Sequence, residues 1–273
     1  MAVEAATQRT LKASAETRTT PTISVIIPAR NEASTIGDVI SSIPVSSLTA
    51  SGQVVEIIVV DNNSHDRTAV LAKMRRAKVV SEPRLGYGRA LRTGFERARG
   101  QIIVMGDGDG TYPLHDLERF LAPIHEGQAD VVTGTRTRGR IHPGAMPFLH
   151  RYVGVPVLTF ILNLLFGLRL SDGHCGMRAI AREALRKMSL TTDGMAFATE
   201  MLIRAKQAGL RIVEVPIEYR PRPCQSVSKL RSLADGWQHL ALMVKEFWAL
   251  PLQSDETIPE ALTHYPLTRP RLP

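Results

Sequence analysis

Apolar stretches of strand length alternate along the first half of the chain with segments of helical periodicity. The strand patterns cover residues 23–27, 54–60, 78–80, 101–105 and 130–133, and the helical patterns lie between them at 36–43, 70–74, 86–98 and 117–124. Thr35-x-x-Asp38 before the first helical pattern is a capping signature. This alternation predicts an α/β fold with a mostly parallel central sheet, right-handed crossovers and helices on both faces.

Polar clusters follow the first four strand patterns. They occupy residues 28–32 (PARNE), 61–66 (DNNSHD), 84–89 (RLGYGR) and 107–110 (DGDG). Each cluster alone also fits a turn or a helix cap. In an open α/β sheet, however, the carboxyl ends of parallel strands meet at one edge, where ligands bind. The shared edge therefore predicts a cleft lined by all four clusters.

Asp107 and Asp109 are the most informative pair in these clusters. They stand one residue apart in a glycine-rich turn, where the backbone bends sharply and a ligand can approach closely. Both carboxylates can reach a hard divalent cation, which prefers carboxylate oxygens and takes phosphate oxygens or water as its other ligands. The pattern predicts a site for Mg²⁺ or Mn²⁺ and a diphosphate.

Length and composition predict one domain with two tails. A chain of 273 residues with 44% hydrophobic content can bury one sizeable core, which we assign to residues 22–248. Residues 1–21 lack an apolar run and are predicted to be a mobile tail, and the proline-rich residues 249–273 are predicted to be a second, extended tail. The two cysteines, Cys175 and Cys224, lack paired spacing, so we expect a reducing, cytoplasmic setting.

The charge balance indicates anionic partners. The formal net charge is +8, which favours nucleotides, lipid phosphates or an anionic membrane surface. Aromatic residues make up only 5% of the chain and do not interleave with basic ones, so we predict no nucleic-acid partner. The sequence leaves the oligomeric state open, a homo-oligomer included.

Taken together and in order, the motifs resemble those of a known family. They are residues 25–32 (VIIPARNE), 61–68 (DNNSHDRT), 86–94 (GYGRALRTG) and 107–109 (DGD), with 134–136 (GTR), 171–178 (SDGHCGMR) and 228–230 (SKL) downstream. Over roughly residues 22–242 the chain resembles the inverting family 2 glycosyltransferases of the GT-A fold. Within that family it looks like the polyprenyl-phosphate sugar synthases, such as the dolichol-phosphate mannose and glucose synthases.

The resemblance implies a role for each matching position. Asp107 and Asp109 would hold Mg²⁺ or Mn²⁺ against the diphosphate of a UDP- or GDP-sugar. Ser228 and Lys229 would belong to a loop that closes over this donor. The remaining implied positions are the nucleotide pocket at Pro28, Asn31, Glu32 and Asp61, with Asp61 accepting from the base; the diphosphate region at Gly86 and Arg89; and the acceptor-phosphate site at Arg136 and Arg151.

The chemistry agrees with this assignment. Cleavage of a sugar–phosphate bond places negative charge on the departing nucleoside diphosphate, which a divalent cation and nearby Arg or Lys stabilise. A phosphate monoester acceptor is already anionic and needs little help from a base, whereas a hydroxyl acceptor needs one. Asp172 and Glu200 are the candidate base carboxylates.

Residues 153–170 form a nearly continuous apolar segment that is interrupted by Pro156, Asn163 and Gly167. It fits a buried helix, or a helix that lies in the membrane interface and meets a lipid acceptor. Residues 231–248 fit a second amphipathic helix. We predict no transmembrane helix and expect peripheral contact with the inner face of the membrane. Nothing after Leu250 resembles the transmembrane helices of many relatives, so a soluble small-molecule acceptor stays open.

Other classes of protein share parts of the pattern. Residues 107–111 (DGDGT) also resemble the nucleophile motif of haloacid-dehalogenase phosphatases, although three strand patterns precede them here. A non-catalytic nucleotide-binding module would have the same fold. A nucleotidyltransferase would need a glycine-rich loop after the first strand, where this chain has residues 28–32. The sequence therefore favours a metal-dependent, inverting hexosyltransferase with a nucleoside-diphosphate-sugar donor and a polyprenyl-phosphate acceptor.

Overall fold

The computed structural model describes residues 22–223 and 232–249, in which one seven-stranded sheet forms the centre of the molecule. The strands are β1 (Ile23–Ala29), β2 (Val55–Asp61), β3 (Lys78–Ser81), β4 (Ile102–Met105), β5 (Val131–Ile141), β6 (Arg178–Ala181) and β7 (Ile212–Tyr219), in the order β3-β2-β1-β4-β6-β5-β7. Only β6 runs antiparallel to its neighbours in this sheet. The predicted mostly parallel α/β architecture is confirmed.

Helices cover both faces of the sheet. They are α1 (Ile36–Ser42), α2 (Val45–Ala50), α3 (Thr68–Met74), α4 (Tyr87–Arg97), α5 (Glu118–His125), α6 (Val155–Phe166), α7 (Arg182–Arg186), α8 (Phe197–Gln207) and α9 (Ser232–Trp248). A 3₁₀ turn at Leu114–Asp116 precedes α5, and a π-helical turn at His150–Gly154 leads into α6. The predicted order of strands and helices in the first half of the chain is confirmed.

Two local predictions differ from the structure. Thr35 is the N-cap residue of α1, as predicted, but its side chain makes no cap hydrogen bond and its Oγ1 donates to the Gly108 carbonyl at 2.7 Å. Strand β5 was expected to end near residue 133 but continues to Ile141. The extension lacks an apolar pattern and forms because Arg140 and Ile141 pair with β7 beyond a bulge.

Alternation along the central strands builds an apolar layer on each face of the sheet. Ile23, Val25 and Ile27 pack towards α1 and α5, whereas Ile26 packs with Ile58 towards α4 and α8. All five side chains are fully buried, which stabilises the fold by about 1.5 to 3 kcal/mol for each side chain. A third apolar cluster joins α6, α8 and α9. These layers hold the carboxyl ends of β1 to β4 at one edge.

Helices α6 and α9 also leave apolar side chains in solvent. Along α6 and the turn before it, Val153, Val157, Phe160 and Leu164 recur at helical spacing and are 46% to 69% exposed. Leu162 and Phe166 of the same helix are buried, so α6 has one buried side and one exposed apolar side. We call the exposed set the apolar face, which comprises Phe148, Leu149, Tyr152, Val153, Val157, Phe160 and Leu164 with Trp237, Val244, Phe247 and Trp248.

Among residues 22–223 and 232–249, no helix has both the length and the apolar composition that crossing a bilayer requires. The predicted tail at 1–21, residues 250–273 of the predicted tail at 249–273, and the predicted loop residues Ser228 and Lys229 lie outside the described residues.

Candidate functional site

Hydrogen bonds tie the loop after β1 to the loop after β2. The backbone N–H of Asn31 donates to Ser64 Oγ at 3.0 Å, and Asn31 Oδ1 accepts from the His65 N–H at 2.8 Å. The N–H of Glu32 donates to Thr68 Oγ1 at 2.8 Å. Asn31 has a φ of +52°, a left-handed conformation that asparagine adopts more readily than most residues. Two of the predicted polar clusters therefore form one connected wall.

Asn62 extends this wall to the third cluster. Its side-chain amide donates to the Glu82 carbonyl at 3.0 Å and to the Arg84 carbonyl at 2.7 Å. Its Oδ1 accepts from the N–H of Gly86 at 2.9 Å. The sequence placed Asn62 in a cluster without a role, and the structure makes it the connection between the ends of β2 and β3.

The glycines at the start of α4 allow a loop to pack closely against it. A Cβ on Gly86 would lie 2.4 Å from the Asp193 carbonyl oxygen, and one on Gly88 would lie 2.3 Å from the Thr192 carbonyl oxygen. Glu200 holds this loop, since its carboxylate accepts from the N–H groups of Thr191 and Thr192 at 2.8 and 2.9 Å. Glu200 is fully buried and is not among the residues that line the two cavities described next.

A first cavity of about 370 Å³ opens at this edge of the sheet. Charged and polar motif residues and glycine-rich turns line it together with apolar side chains such as Leu85 and Met195. The residues that form it include Pro28, Arg30, Glu32, Asn62, Gly86, Tyr87, Asp107, Asp109, Arg222, Asp235 and Gln238. The four predicted clusters therefore contribute to one cleft.

Asp107 and Asp109 lie at the base of the first cavity with different partners. Asp107 Oδ1 accepts from the Tyr87 hydroxyl at 3.0 Å. Asp109 accepts from the N–H and hydroxyl of Thr111 at 3.0 and 2.7 Å and forms an ion pair with Arg222 at 2.6 Å. Burial and the negative charge of Asp109 raise the pKa of Asp107 to about 7. Positive charge close to Asp107 would favour its ionised form.

The two carboxylates fit a divalent cation that is shared with a bound ligand. Among the described residues, no group of three or more His, Cys, Asp and Glu side chains could hold a metal ion. Asp107 and Asp109 would therefore hold Mg²⁺ or Mn²⁺ together with phosphate oxygens, the usual arrangement for Mg²⁺. Both carboxylates line the same cavity from one glycine-rich turn, and the burial and mutual repulsion that raise the pKa of Asp107 favour a cation beside them.

Three predicted nucleotide-site residues lie beside the first cavity and not in its lining. Asp61 Oδ1 accepts from the Ser64 N–H at 3.3 Å, and Asn31 is occupied by the loop contacts above. The Arg89 guanidinium lies 3.7 Å from the Asp193 carboxylate. Pro28, Glu32 and Gly86, which were also predicted to lie at the donor site, do line the cavity.

A second cavity of about 350 Å³ adjoins the first. Tyr87, Asp107, Met195, Arg222 and Asp235 line both cavities. The rest of the second cavity is mainly apolar, with a polar end formed by Arg136 and three histidines. Its other lining residues include Tyr112, His150, Val153, Val157, Leu158, His174, Tyr219, Trp237, His239 and Leu240.

Arg136 and Asp172 form a buried ion pair at the polar end of the second cavity. Arg136 Nε and Nη2 donate to the two Asp172 oxygens at 2.6 and 2.8 Å, and the guanidinium lies 5.4 Å from the Tyr219 ring. Arg136 holds the pKa of Asp172 at about 2 against the opposing effect of burial. Asp172 is therefore a weak base. Arg151, the other predicted phosphate residue, lies over the ring of Tyr152, and neither cavity has it in its lining.

The structure brings Arg222 and the three histidines into the site, although the sequence analysis did not name them. Arg222 follows β7, whose carboxyl end lies at the same edge as those of β1 to β4. Extending the strand-end rule to β7 would have found it. His150 and His239 come from the π turn and α9, and His174 comes from the loop before β6. No local spacing signals their meeting.

Comparison with known proteins supports the family that the sequence motifs predicted. A family model for glycosyl transferase family 2 matches residues 24–189. The low-salt glycan biosynthesis hexosyltransferase Agl6 of Haloferax volcanii is 40% identical over 231 residues, which are 85% of this chain and 55% of that relative. The dolichyl-phosphate hexose transferase of the same organism is 34% identical over 78% of this chain and 89% of its own length. This chain thus spans about half the length of the first relative.

Solved structures agree with the sequence matches. Glucosyl-3-phosphoglycerate synthase from Mycobacterium tuberculosis, in complex with Mn²⁺, UDP and glucosyl-3-phosphoglycerate, has a TM-score of 0.66 and 28% identity, and the match covers 88% of this chain and 83% of that one. The fold is the GT-A fold, as predicted. The family match decides against the haloacid-dehalogenase alternative. The chain belongs to glycosyl transferase family 2.

Proposed function

We propose that this protein is an inverting hexosyltransferase that moves a hexose from a nucleoside-diphosphate sugar to a polyprenyl-phosphate acceptor. One observation carries the proposal: a cavity that holds the charged and polar motif residues and a more strongly apolar cavity share Asp107 and Arg222 in their linings. A nucleotide sugar fits the first cavity and a phosphate with an apolar chain fits the second. The reacting atoms would meet at the junction.

The first cavity offers the chemistry that a leaving nucleoside diphosphate needs. Asp107 and Asp109 would hold Mg²⁺ or Mn²⁺, which when bound offsets the charge that develops on the diphosphate. Arg222 lies within 2.6 Å of Asp109 and would add a guanidinium donor to the phosphate oxygens. The glucosyl-3-phosphoglycerate synthase complexes with Mn²⁺ or Mg²⁺ and UDP support this assignment by similarity.

The second cavity favours an acceptor that is already anionic. Asp172 is held ionised by Arg136 with a pKa of about 2, and Glu200 is bonded to the loop at Thr191 and Thr192. Neither predicted base is therefore suited to accept a proton from a hydroxyl group. A phosphate monoester attacks the anomeric carbon as an oxyanion, from the face opposite the departing diphosphate, and inverts that centre.

The apolar walls favour a lipid carrier of that phosphate. Val153, Val157 and Trp237 line the second cavity and also belong to the apolar face, so a prenyl chain could pass from the cavity to the surface without meeting a polar barrier. The similarity to a dolichyl-phosphate hexose transferase supports the same acceptor class. We propose a cytoplasmic protein that contacts the membrane peripherally through this face.

A soluble phosphorylated acceptor is the second candidate. The basis for it is the similarity to glucosyl-3-phosphoglycerate synthase in complex with phosphoglyceric acid, a small acceptor that carries a phosphate. Such a molecule would use the polar end of the second cavity and leave the apolar walls uncovered. The two candidates therefore differ in whether the apolar walls contribute to binding.

A transfer assay separates these candidates. Radiolabelled UDP-glucose, UDP-N-acetylglucosamine or GDP-mannose is incubated with the protein and Mn²⁺, and either farnesyl phosphate or 3-phosphoglycerate is the acceptor. The proposal expects label in an organic-extractable prenyl phosphate hexose with one donor. Label in a water-soluble product alone would identify the small acceptor. Transfer to neither acceptor from any donor would contradict both.

A further inference from the structure

Three histidine rings converge at the polar end of the second cavity, and His174 differs from the other two. The rings of His174 and His239 meet edge to face, with centroids 4.7 Å apart. His239 Nδ1 is bonded to Thr199 Oγ1 at 2.7 Å. Both ring nitrogens of His174 are buried and lack a hydrogen-bond partner among the described residues. Such a group calls for a partner, and because His174 lines the second cavity a bound ligand would supply one.

The backbone around His174 is firmly held, so the position of the ring is fixed. The N–H groups of Asp172, Gly173 and His174 donate in turn to Glu214, Thr159 Oγ1 and Asp172 Oδ1 at 3.0, 3.1 and 3.1 Å. Three consecutive amides of this loop are therefore satisfied within the protein. Only the imidazole is left to bond with whatever enters the cavity.

The charges near His174 favour an anion over a neutral group. Arg136 and Arg178 are both buried and both act on the imidazole electrostatically, whereas Asp172 is the one carboxylate that acts on it. Arg178 donates to the carbonyls of Ala198 and Gly173 at 2.6 and 3.3 Å, and no described carboxylate forms an ion pair with it. Two guanidinium groups beside one carboxylate leave an excess of positive charge. Burial also lowers the pKa of His174, so its ring is neutral and retains one N–H donor.

We propose that His174 binds the phosphate monoester of the acceptor, with an imidazole N–H as the donor to a phosphate oxygen. This inference rests on the proposed function for the presence of an acceptor in the second cavity. It adds a residue that the sequence motifs did not assign, and it transfers the phosphate contact from Arg151, which is outside the cavity lining, to a ring inside it. The same contact serves a prenyl phosphate or a soluble phosphate monoester.

The direct test is ¹⁵N NMR of the wild-type protein labelled at its histidines. The ring signals of His174 are identified by their loss in His174→Phe, and UDP binding is measured in the same samples. Farnesyl phosphate should shift these signals, and farnesol, which lacks the phosphate, should not. If neither farnesyl phosphate nor 3-phosphoglycerate shifts them, His174 does not bind the phosphate and the inference is overturned, whereas the transfer assay decides the proposed function separately.

Kinetics of three variants give a second, independent readout. His174→Phe should raise the KM for farnesyl phosphate by roughly 10- to 100-fold, the cost of losing a hydrogen bond to a charged group, and leave the Kd for UDP within about twofold. His174→Gln should recover most of the loss because it keeps an N–H donor. His115→Phe, on the 3₁₀ turn before α5 and outside both cavity linings, is the matched control and should leave the KM unchanged. An unchanged KM in His174→Phe would contradict the inference.

The soluble probe separates the lipid source from the phosphate itself. If 3-phosphoglycerate shifts the His174 signals and farnesyl phosphate does not, His174 is the phosphate residue of a small-molecule site and the lipid acceptor is wrong. If both shift them, the phosphate contact is supported and the transfer assay identifies the acceptor that is used.

Discussion

The first cavity and the second cavity are built in opposite ways. The first is lined by short polar loops that each follow a parallel strand, and hydrogen bonds among Asn31, Asn62 and their neighbours join these loops into one wall. The second lies between α6, α9 and the strands β5 and β7, with apolar walls and one buried ion pair. In the first, Asp109 is paired with Arg222 and the pKa of the buried Asp107 is raised, whereas in the second the buried Arg136 is paired with Asp172.

Two cavities of different chemistry allow one chain to bind two anionic substrates at separate places. A nucleoside diphosphate and a phosphate monoester repel each other, so each needs its own source of compensating charge. In the proposed arrangement a divalent cation serves the first cavity, whereas Arg136 serves the second. Arg222 lies at the junction and lines both.

The largest effect is expected from the ion pair in the second cavity. Asp172→Asn should lower the free energy of unfolding by about 3 to 5 kcal/mol, because it leaves Arg136 buried without a countercharge. The folded-state pKa of Asp172 is below its ordinary value, so this stabilisation is present at neutral pH and is lost as the pH falls from about 4 towards 2. Urea unfolding at pH 7 and pH 3 measures both.

The matched control is an exposed ion pair. Arg186 and Glu183 are 65% and 72% exposed, so Glu183→Gln should cost no more than about 1 kcal/mol. Equal losses in Asp172→Asn and Glu183→Gln would mean that the Arg136–Asp172 pair contributes no more than a surface pair.

The next effect concerns the metal site in the first cavity. Asp109→Asn should weaken Mn²⁺-dependent binding of the nucleoside diphosphate by on the order of 100-fold or more, since it removes a proposed carboxylate ligand while keeping an oxygen for Thr111. Calorimetric titration with and without Mn²⁺ measures this change. Asp116→Asn, on the surface turn before α5, is the control and should bind as the wild type does. Undiminished metal dependence in Asp109→Asn would move the metal site elsewhere.

A smaller effect of opposite sign is expected at Asp107. Its pKa is raised from 3.8 to about 7, so the folded state loses stability as the pH rises from about 4 to 7. Asp107→Asn removes this buried charge and should raise stability at pH 8, without metal, by on the order of 1 to 3 kcal/mol. At pH 4 the variant and the wild type should differ little. Thermal unfolding at the two pH values tests this, and lower stability of the variant at pH 8 would contradict the charge assignment.

The smallest effect concerns the apolar face. Phe160→Ser should reduce flotation with anionic liposomes a few-fold, because the side chain is 65% exposed and contributes apolar area to the membrane interface. Met74→Ser on α3 removes a side chain of similar exposure, 70%, from another surface and should leave flotation unchanged. Equal flotation of the two variants would argue against contact through this face.

The two cavities also differ in how far the sequence predicts them. The first follows from local patterns, since an apolar strand followed by polar residues places Glu32, Asn62 and Asp107 at one edge whatever the rest of the chain does. From the sequence we predicted Asp61 for this pocket. In the structure its neighbour Asn62 lines the cavity, whereas Asp61 is bonded to Ser64. Side-chain direction at a strand end depends on the loop contacts, and those form only in the folded chain.

The second cavity depends on contacts between distant segments. Arg136 meets Asp172 across 36 residues, and His174 meets His239 only because α9 packs beside α6. We predicted Asp172 as a candidate base because an acidic residue in a motif suggests acid–base chemistry. The structure adds what the motif does not show, that both of its oxygens accept hydrogen bonds from Arg136. A motif indicates which residues matter more readily than it indicates their partners.

The division of the two substrates between two cavities is tested most directly by a crystal structure of the protein with Mn²⁺, UDP and farnesyl phosphate. The anomalous signal of manganese should lie between Asp107 and Asp109 with the diphosphate beside it. The farnesyl phosphate should place its phosphate near His174 and Arg136 and its chain along Val153, Val157 and Trp237. A prenyl phosphate bound in the first cavity, or manganese bound away from both carboxylates, would contradict this division of the substrates between the two cavities.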